Sequence, residues 1–376
     1  MRSVTRFIGL DVHADTIAVA VAERGGEVRS LGTIPNRPEA VRRLMKKLGD
    51  AKQLRACYEA GPCGYVLYWQ LTELGVACDV IAPTLVPVKA GDRVKTDRRD
   101  AEKLARCHRA GDLTAVWVPD AAHEALRDLV RARLAAKQDQ LRARNRLGKL
   151  LLRHGLRPPE KARRWGRAHM AWVHAIRFEH APLNAAFADY LSEVEHARDR
   201  LQRLEGAIDE AVAVAPPKMR AVIEALQSLR GVAKITAATI ATEVGELSRF
   251  ATAPQFMSYS GAVSSEYSSG PNTHRGAITK TGNVHLRRVI VEAAWAYRHL
   301  PRIGSTLRAR QQGQTGKVLD IAWKAQHRLH TKYVRLTMKG KHKNIVVTAV
   351  ARELLGFVWA IGKEVEEHFA ATTAAA

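Results

Sequence analysis

The sequence predicts an α/β N-terminal domain, a helical coiled-coil middle and a mainly α C-terminal domain. Three observations carry this. Short β-branched runs alternate with helical periodicity over the first 120 residues. An apolar repeat of coiled-coil spacing follows Pro182. From Met219 onward, helical stretches are joined by Gly-rich connections. A chain of 376 residues, 46% hydrophobic, has material for two or three cores. The expected divisions are 1–120, 121–217 and 218–365, with 366–376 as a disordered tail.

In the first segment, Arg6–Val12 and Thr16–Glu23 are apolar runs joined by a short polar turn, His13–Asp15, which is a hairpin signature. Glu27–Ile34 extends it as a third strand. Arg37–Leu48 reads as a basic amphipathic helix, with Asn36 as N-cap and Pro38 in the first turn. A strand (Leu54–Glu59), a helix (Gly64–Leu74), a strand (Ala77–Ile81) and a helix (Asp97–Ala110) follow. This βββαβαβα order suits an open mixed sheet flanked by helices, and it is the order of the ribonuclease-H-like fold.

Past Ala121 the pattern is helical and basic, with fourteen Lys/Arg against three Asp/Glu between Arg127 and Arg167. Phe187, Tyr190, Val194, Ala197, Leu201, Leu204, Ile208 and Ala211 keep an a/d repeat over four heptads. Leu126, Val130, Leu134 and Leu141 keep it less well. The expectation is a helical hairpin whose seam pairs within the chain or with another protomer. Pro216–Pro217 closes the region. Ser228–Gly245 has the outline of a helix-hairpin-helix, with Arg230-Gly231-Val232-Ala233 as a turn able to offer N–H groups to a phosphate. The last helix is expected at Asn344–Ile361.

The formal charge of +23 and a pI near 10.3 call for a polyanionic partner, nucleic acid above all. Arg142, Arg144, Arg146 and Lys149 are candidate phosphate contacts in the helical segment. Cys57, Cys63, Cys78 and Cys107 form no CxxC pair and no zinc-spaced cluster, so they read as reduced thiols. The N-terminal ten residues have no leader pattern, and no run of about 18 apolar residues suggests a membrane span. A cytoplasmic protein is expected.

Acidic residues stand where strands end. Asp11 closes Ile8-Gly9-Leu10-Asp11, and Glu59 closes Leu54–Glu59 before Ala60-Gly61-Pro62. A carboxylate in a half-buried run is costly without a compensating charge or metal. Asp97 and Asp100, three residues apart, share a face at the positive end of a helix. Four carboxylates from three elements can hold two Mg²⁺ or Mn²⁺ ions for phosphoryl transfer. Each taken singly is as well explained as a turn or helix-end residue. The set is credible only if strands one and four lie side by side.

A second dense stretch runs Ser258-Tyr259-Ser260-Gly261-Ala262-Val263, then Ser264-Ser265-Glu266-Tyr267-Ser268-Ser269-Gly270, and through His274-Arg275 and Lys280-Thr281-Gly282-Asn283 to Arg287-Arg288. Its composition is that of a polar loop. Arg275, Lys280, Arg287 and Arg288 are candidate phosphate contacts.

Gly9–His13, Tyr58–Tyr65 and Lys95–Ala101 together resemble the three acidic motifs of the DEDD insertion-sequence transposases. These have a RuvC-like N-terminal domain, and their relatives include bridge-RNA-guided recombinases and Piv-type DNA invertases. The resemblance continues through the helical middle into a C-terminal transposase domain. It implies that Asp11, Glu59, Asp97 and Asp100 bind catalytic Mg²⁺ (or Mn²⁺). It also implies that a serine before glycine is the nucleophile, Ser269 first and Ser268 second, with Ser264 and Ser265 as outsiders. A general base is not visible; His13 and His274 are guesses. The implied partners are DNA (element ends and target), a structured guide RNA, and further copies of the chain in a dimer or tetramer. Basic segments Arg127–Arg167 and Lys324–Lys343 suit RNA or DNA phosphates equally, and Trp165, Trp172 and Trp323 either stack on bases or fill cores. Two other functions fit part of this pattern. A Holliday-junction-resolving nuclease would use the carboxylates and water, and a non-catalytic nucleic-acid binder would use only the charge.

Overall fold

The structure is a computed structural model that describes residues 6–88, 91 and 95–375. Met1–Thr5, part of the stretch read as lacking a leader, and Ala376 of the expected tail lie outside them. The chain divides into two units, Met1–Val118 and Pro119–Ala376.

The first unit holds strands β1 (Arg6–Val12), β2 (Thr16–Glu23), β3 (Val28–Pro35), β4 (Leu54–Glu59) and β5 (Ala77–Ile81). Its helices are α1 (Pro38–Leu48), α2 (Val66–Glu73) and α3 (Asp97–Ala110). The strand order is β3-β2-β1-β4-β5, antiparallel from β1 to β3 and parallel from β1 through β4 to β5. Strands one and four are therefore neighbours, as the carboxylate set requires. The expected open mixed sheet is present.

Side-chain alternation sorts the two faces. Ile8, Leu10, Ile17, Val19, Val21, Leu54, Ala56 and Tyr58 face one way and make a core with α1 and α2. The other face is built from small residues, Ala18, Ala20 and Ala22, on which Ala101 and Ala105 of α3 sit. Gly9 shares that face. A Cβ there would lie 2.3 Å from the Ala101 carbonyl oxygen and 2.4 Å from the Ala105 nitrogen, so α3 rests directly on the β1 backbone. Gly9→Ala is thus expected to destabilise the first unit by about 1–3 kcal/mol, because helix backbone and not a yielding side chain must move. Urea melts check this, with Gly206→Ala as control, where a Cβ meets nothing within 4 Å.

Asn36 does not cap α1. The N-cap is Arg37, without a side-chain bond, and Pro38 at the first helical position reduces the need for one. The Asn36 amide instead donates to the His13 carbonyl at 2.8 Å, tying down the β1–β2 turn.

The second unit begins with α4 (Ala121–Arg153), α5 (Arg167–Ala175) and α6 (Ala181–Ala213). Phe187, Val194, Leu201 and Ile208, seven residues apart, are buried positions of α6, joined by Val212 near its end. Phe187 and Val194 cluster with Leu147, Leu150 and Leu151 of α4, whereas Ile208 clusters with Leu126 and Val130, so the two helices run antiparallel. This half of the seam is filled within the chain. Leu141, expected in the seam, is 60% exposed.

The remaining elements are α7 (Pro217–Leu226), α8 (Lys234–Val244), α9 (Ala253–Tyr259), a hairpin of β6 (Ser264–Ser269) and β7 (Asn272–Ile278), then α10 (Val284–Ala294), α11 (Ser305–Gln311), α12 (Gly316–Met338) and α13 (Lys343–Ala375). Apart from the hairpin this part is helical, as expected. The turn between α7 and α8 is packed: Leu229 and Val232 are fully buried, and Arg230 donates to the carbonyls of His299 and Leu300. It closes a core rather than standing open for a phosphate.

Helix α13 runs well beyond the expected Ile361 and into the expected tail. Glu366 is buried there, its carboxylate accepting from the Leu247 and Ser248 N–H groups at 2.8 and 2.7 Å. Although no apolar run of span length stood out in the sequence, α13 is long and apolar enough to pass for one. Its apolar face is occupied: Val347, Val350, Leu354, Leu355, Val358 and Ile361 are fully buried in the main helical core.

Candidate active site

Asp11 and Glu59 owe their juxtaposition to register. Leu10 pairs with Tyr58 across β1 and β4, and the next residue on each strand is the carboxylate. By alternation Asp11 shares the face of Gly9, the face that α3 covers. Thr96 caps α3 through a bond from the Arg99 N–H, and Asp97 and Asp100 occupy its first turn. The far end of α3 is pinned as well. His108 Nε2 lies 2.9 Å from Asp79 Oδ2 on β5, and Arg109 donates to the Glu23 carbonyl at 2.8 Å. A helix fixed at its middle by Gly9 and at its end by these bonds delivers its N-terminal carboxylates to one place.

That place is a cleft of about 980 Å³ lined by Asp11, Glu59, Asp100, Lys95, Lys103 and Arg106, among others. Burial pushes the Asp11 carboxyl above its ordinary range; His13 opposes this, while Asp100 and Asp97 add to it. Burial also raises Glu59, which Lys103 and Lys95 oppose and Asp100 and Asp11 reinforce. Asp11 thus feels Asp97 and Asp100, and Glu59 feels Asp100 and Asp11. His13 joins them: its Nε2 is 3.4 Å from Asp11 Oδ2 and 3.5 Å from Asp97 Oδ1. One donor atom from each of Asp11, His13 and Asp97 falls within 4.8 Å of the others, a spacing that can hold a metal ion. Lys103, 3.4 Å from Asp100, is a cleft cation the sequence reading overlooked, although it stands three residues after Asp100 on the same helix.

The serine stretch is a hairpin in the second unit and not a loop. Gly261 and Gly282 interlock at its base: a Cβ on Gly261 would lie 1.8 Å from the Thr281 oxygen, and one on Gly282 would lie 1.9 Å from the Tyr259 oxygen. Arg287, expected on a phosphate, donates to the carbonyls of Ser260, Thr281 and Gly282. Behind it, Glu243 is 2% exposed and accepts from Arg131 at 2.8 and 2.9 Å and from Asn283 at 2.7 Å. These bonds hold its carboxyl below the usual range despite burial.

Ser268 donates to Glu266 at 2.7 Å, and Arg275 donates to the same carboxylate at 3.2 Å. Ser269 is exposed beside the turn glycine, and its hydroxyl has no partner among the described residues. Lys280 and His274 are exposed, and Arg288 pairs with Glu292 at 3.0 Å. In the helical segment Arg142 pairs with Asp139 and Arg146 with Glu193, Lys149 is exposed, and Arg144 lies over the Trp165 ring. Trp172 packs on the α4–α6 core, whereas Trp323 is 41% exposed.

Comparison with known proteins bears on both units. Residues 8–155 match a family described as a DEDD transposase, and residues 223–308 match the transposase IS116/IS110/IS902 family. The chain is 43% identical to the putative transposase y4qE of Sinorhizobium fredii over 96% of its own length and 89% of that protein's. It is 33% identical to the transposase for insertion sequence element IS1533 of Leptospira borgpetersenii, over 89% and 97%. A probable family 20 transposase of Pseudomonas aeruginosa is 31% identical over 65% of the chain and 72% of its own length. The carboxylate-lined cleft falls inside the first matched segment and the serine hairpin inside the second, and the chain belongs to the IS116/IS110/IS902 family of transposases.

Proposed function

We propose that the protein cuts and rejoins DNA by metal-dependent phosphoryl transfer, with Asp11, Glu59, Asp97 and Asp100 as ligands of Mg²⁺ or Mn²⁺ and Ser269 as the nucleophile. The observation that carries this reading is the convergence of Asp11, Glu59 and Asp100, from three elements, on one open cleft, with Asp97 grouped with Asp11 and His13. The donor set fits a hard divalent cation. Carboxylate oxygens dominate it, and a cation between them compensates the burial and the neighbouring carboxylates that raise Asp11 and Glu59. His13 is the one nitrogen donor in the set among the described residues, which disfavours a zinc-type site.

When bound, such ions supply Lewis-acid stabilisation of charge on the phosphoryl oxygens. The residues of the chain hold and orient the strand. Lys95, Lys103 and Arg106 face the backbone phosphates from the cleft wall. The Ser269 oxygen attacks phosphorus and gives up its proton. A serine–phosphorus ester bond forms as the bond to the deoxyribose oxygen breaks, and the sugar leaves as a hydroxyl. Attack by a strand-end hydroxyl reverses the step and frees the serine, so bond energy is conserved for rejoining. The free hydroxyl of Ser269 favours it over Ser268, whose hydroxyl is engaged by Glu266.

The basic helical region 121–217 acts as a domain of its own between a RuvC-like domain and a C-terminal transposase domain. Further copies of the chain assemble with it into a dimer or tetramer. A structured RNA, held by basic segments, selects the donor and target DNA.

The test uses end-labelled DNA carrying the ends of the element. With Mg²⁺, cleavage and a protease-sensitive protein–DNA adduct are expected; with EDTA, neither. Cleavage without an adduct would move the reading to a water-using resolvase, and cleavage in EDTA would remove the metal.

A further inference from the structure

The loop between α4 and α5 has no role in the reaction above, yet it carries four Lys/Arg (Arg157, Lys161, Arg163, Arg164) against one acid, Glu160, and Arg167 follows as the first residue of α5. It ends in an unusual turn. Trp165 has φ of +63°, in the left-handed region that a bulky side chain seldom enters without a reason. Gly166 then opens α5 with no side-chain cap, so the first N–H groups of that helix are not bonded by a capping side chain.

Cations surround this helix start. The Arg144 guanidinium of α4 lies 5.4 Å from the centre of the Trp165 ring, and that of Arg164 lies 6.0 Å from it. His169, in the first turn of α5, stacks 4.9 Å from the same ring and is 4% exposed. Two nitrogens here are enclosed without a hydrogen-bond partner, Arg144 Nε and His169 Nδ1. No ion pair involves Arg144 or Arg164 among the described residues, although Arg142 and Arg146, next but one along the chain on either side of Arg144, each have a carboxylate. Burial lowers both Arg144 and His169 from their ordinary values, and a neighbouring cation, Arg198 and Arg164 respectively, lowers each further. Enclosing unpaired polar nitrogens beside cations costs free energy that an anion would return.

We propose that Arg144, Arg164, His169 and the uncapped N-terminus of α5 form a binding site for one backbone phosphate of a nucleic acid, with Trp165 as the ring that aligns the two guanidiniums. The donors are of the phosphate-binding type: forked guanidiniums and helix N–H groups. The exposed cations Arg157, Lys161, Arg163 and Arg167 extend the field outward, which suits a polyanion better than a free ion. The site rests on the reading of the chain as a nucleic-acid enzyme and adds a place where it holds the strand away from the carboxylate cleft.

The test is binding of the full chain to a labelled single-stranded oligonucleotide, made as RNA and as DNA of one sequence, by anisotropy in EDTA over a salt series. Arg164 is exposed, so Arg164→Gln leaves the fold intact. It is expected to weaken binding roughly tenfold and to lower the log–log salt slope by about 0.7, one single-strand phosphate contact. Arg164→Lys should recover part of the affinity, and Arg144→Gln should behave like Arg164→Gln if its melting temperature is unchanged. Arg24→Gln, an exposed arginine outside this cluster, should do little. Loss in both nucleic acids supports the site for either strand, and loss in one names the source. An unchanged slope in both, or an equal loss in Arg24→Gln, overturns it. Because metal and cleavage are absent from this assay, its failure is separate from failure of the proposed reaction, which Asp11→Asn tests by cleavage.

Discussion

Asp11→Asn is expected to abolish DNA cleavage while making the metal-free protein more stable. A bound divalent ion contributes several kcal/mol of charge stabilisation in phosphoryl transfer, so loss of a central ligand should cost about a thousandfold or more in rate. The stability gain follows from the same burial and neighbouring carboxylates. Asp11 is half-buried beside Asp97 and Asp100, and burial followed by those neighbours raises its carboxyl above the ordinary 3.8. A carboxyl raised in the folded state binds protons more tightly folded than unfolded. Its charge therefore costs stability once the pH is above the folded value, and that cost disappears as the pH falls through it. Glu59, raised above 4.5, adds in the same sense. Thermal melts in EDTA should show the wild-type protein gaining stability from these groups between neutral pH and the acid range. The asparagine variant should start higher and gain less. Mg²⁺ should raise the melting temperature of the wild type at neutral pH, with the effect fading on acidification, and should leave the variant unmoved. A variant that melts lower in EDTA and still responds to Mg²⁺ would mean that Asp11 is a structural turn residue.

Much of this site was legible in the sequence, for identifiable reasons. Strands β1, β2 and β4 have one face in a large apolar core, so their pattern gives element, face and end together. A carboxylate that breaks such a pattern at the strand end stands out, as Asp11 and Glu59 do. Asp97 and Asp100 are marked by Thr96, a capping residue with acidic residues in the turn it begins. What was not legible depends on contacts between segments. The part played by Gly9 as the seat of α3 requires knowing which helix crosses β1. The 2.8 Å bond that takes Asn36 away from α1 requires knowing that the β1–β2 turn lies beside it. The hairpin β6–β7 is mostly exposed, so no apolar alternation announces it, and serines, glycines and charges there read as a loop. The length of α13 was hidden by the charged stretch Lys363–Glu367 and the Ala/Thr-rich end after it; Glu366 is buried only because two backbone N–H groups from another segment meet it.

Ser269→Ala is expected to eliminate strand joining and the protein–DNA adduct, whereas Ser268→Ala should weaken both without removing them. The distinction comes from the hairpin. Successive residues of β6 point to opposite sides, so Ser268 shares a side with Glu266 and bonds to it, while Ser269 points the other way. Removing the Ser268 hydroxyl takes one of the two donors from the Glu266 carboxylate and leaves Arg275 paired with it, so the hairpin should persist. The cost is that of one solvent-exposed hydrogen bond, roughly tenfold at most in rate if all of it reaches the transition state. Removing the Ser269 hydroxyl takes nothing from the hairpin, since that oxygen has no partner there. Any large loss must then come from the reaction with DNA. A nucleophile is not replaceable by its neighbours, so the expected loss is to background, with DNA binding and melting temperature unchanged. Trapping the adduct on suicide substrates, followed by peptide mapping, would identify the modified serine directly. A phosphoserine at 268, or full joining by Ser269→Ala, would assign the attack to the hydroxyl that Glu266 holds and make that carboxylate the base. Adducts surviving in both single variants would move the chemistry off this hairpin altogether.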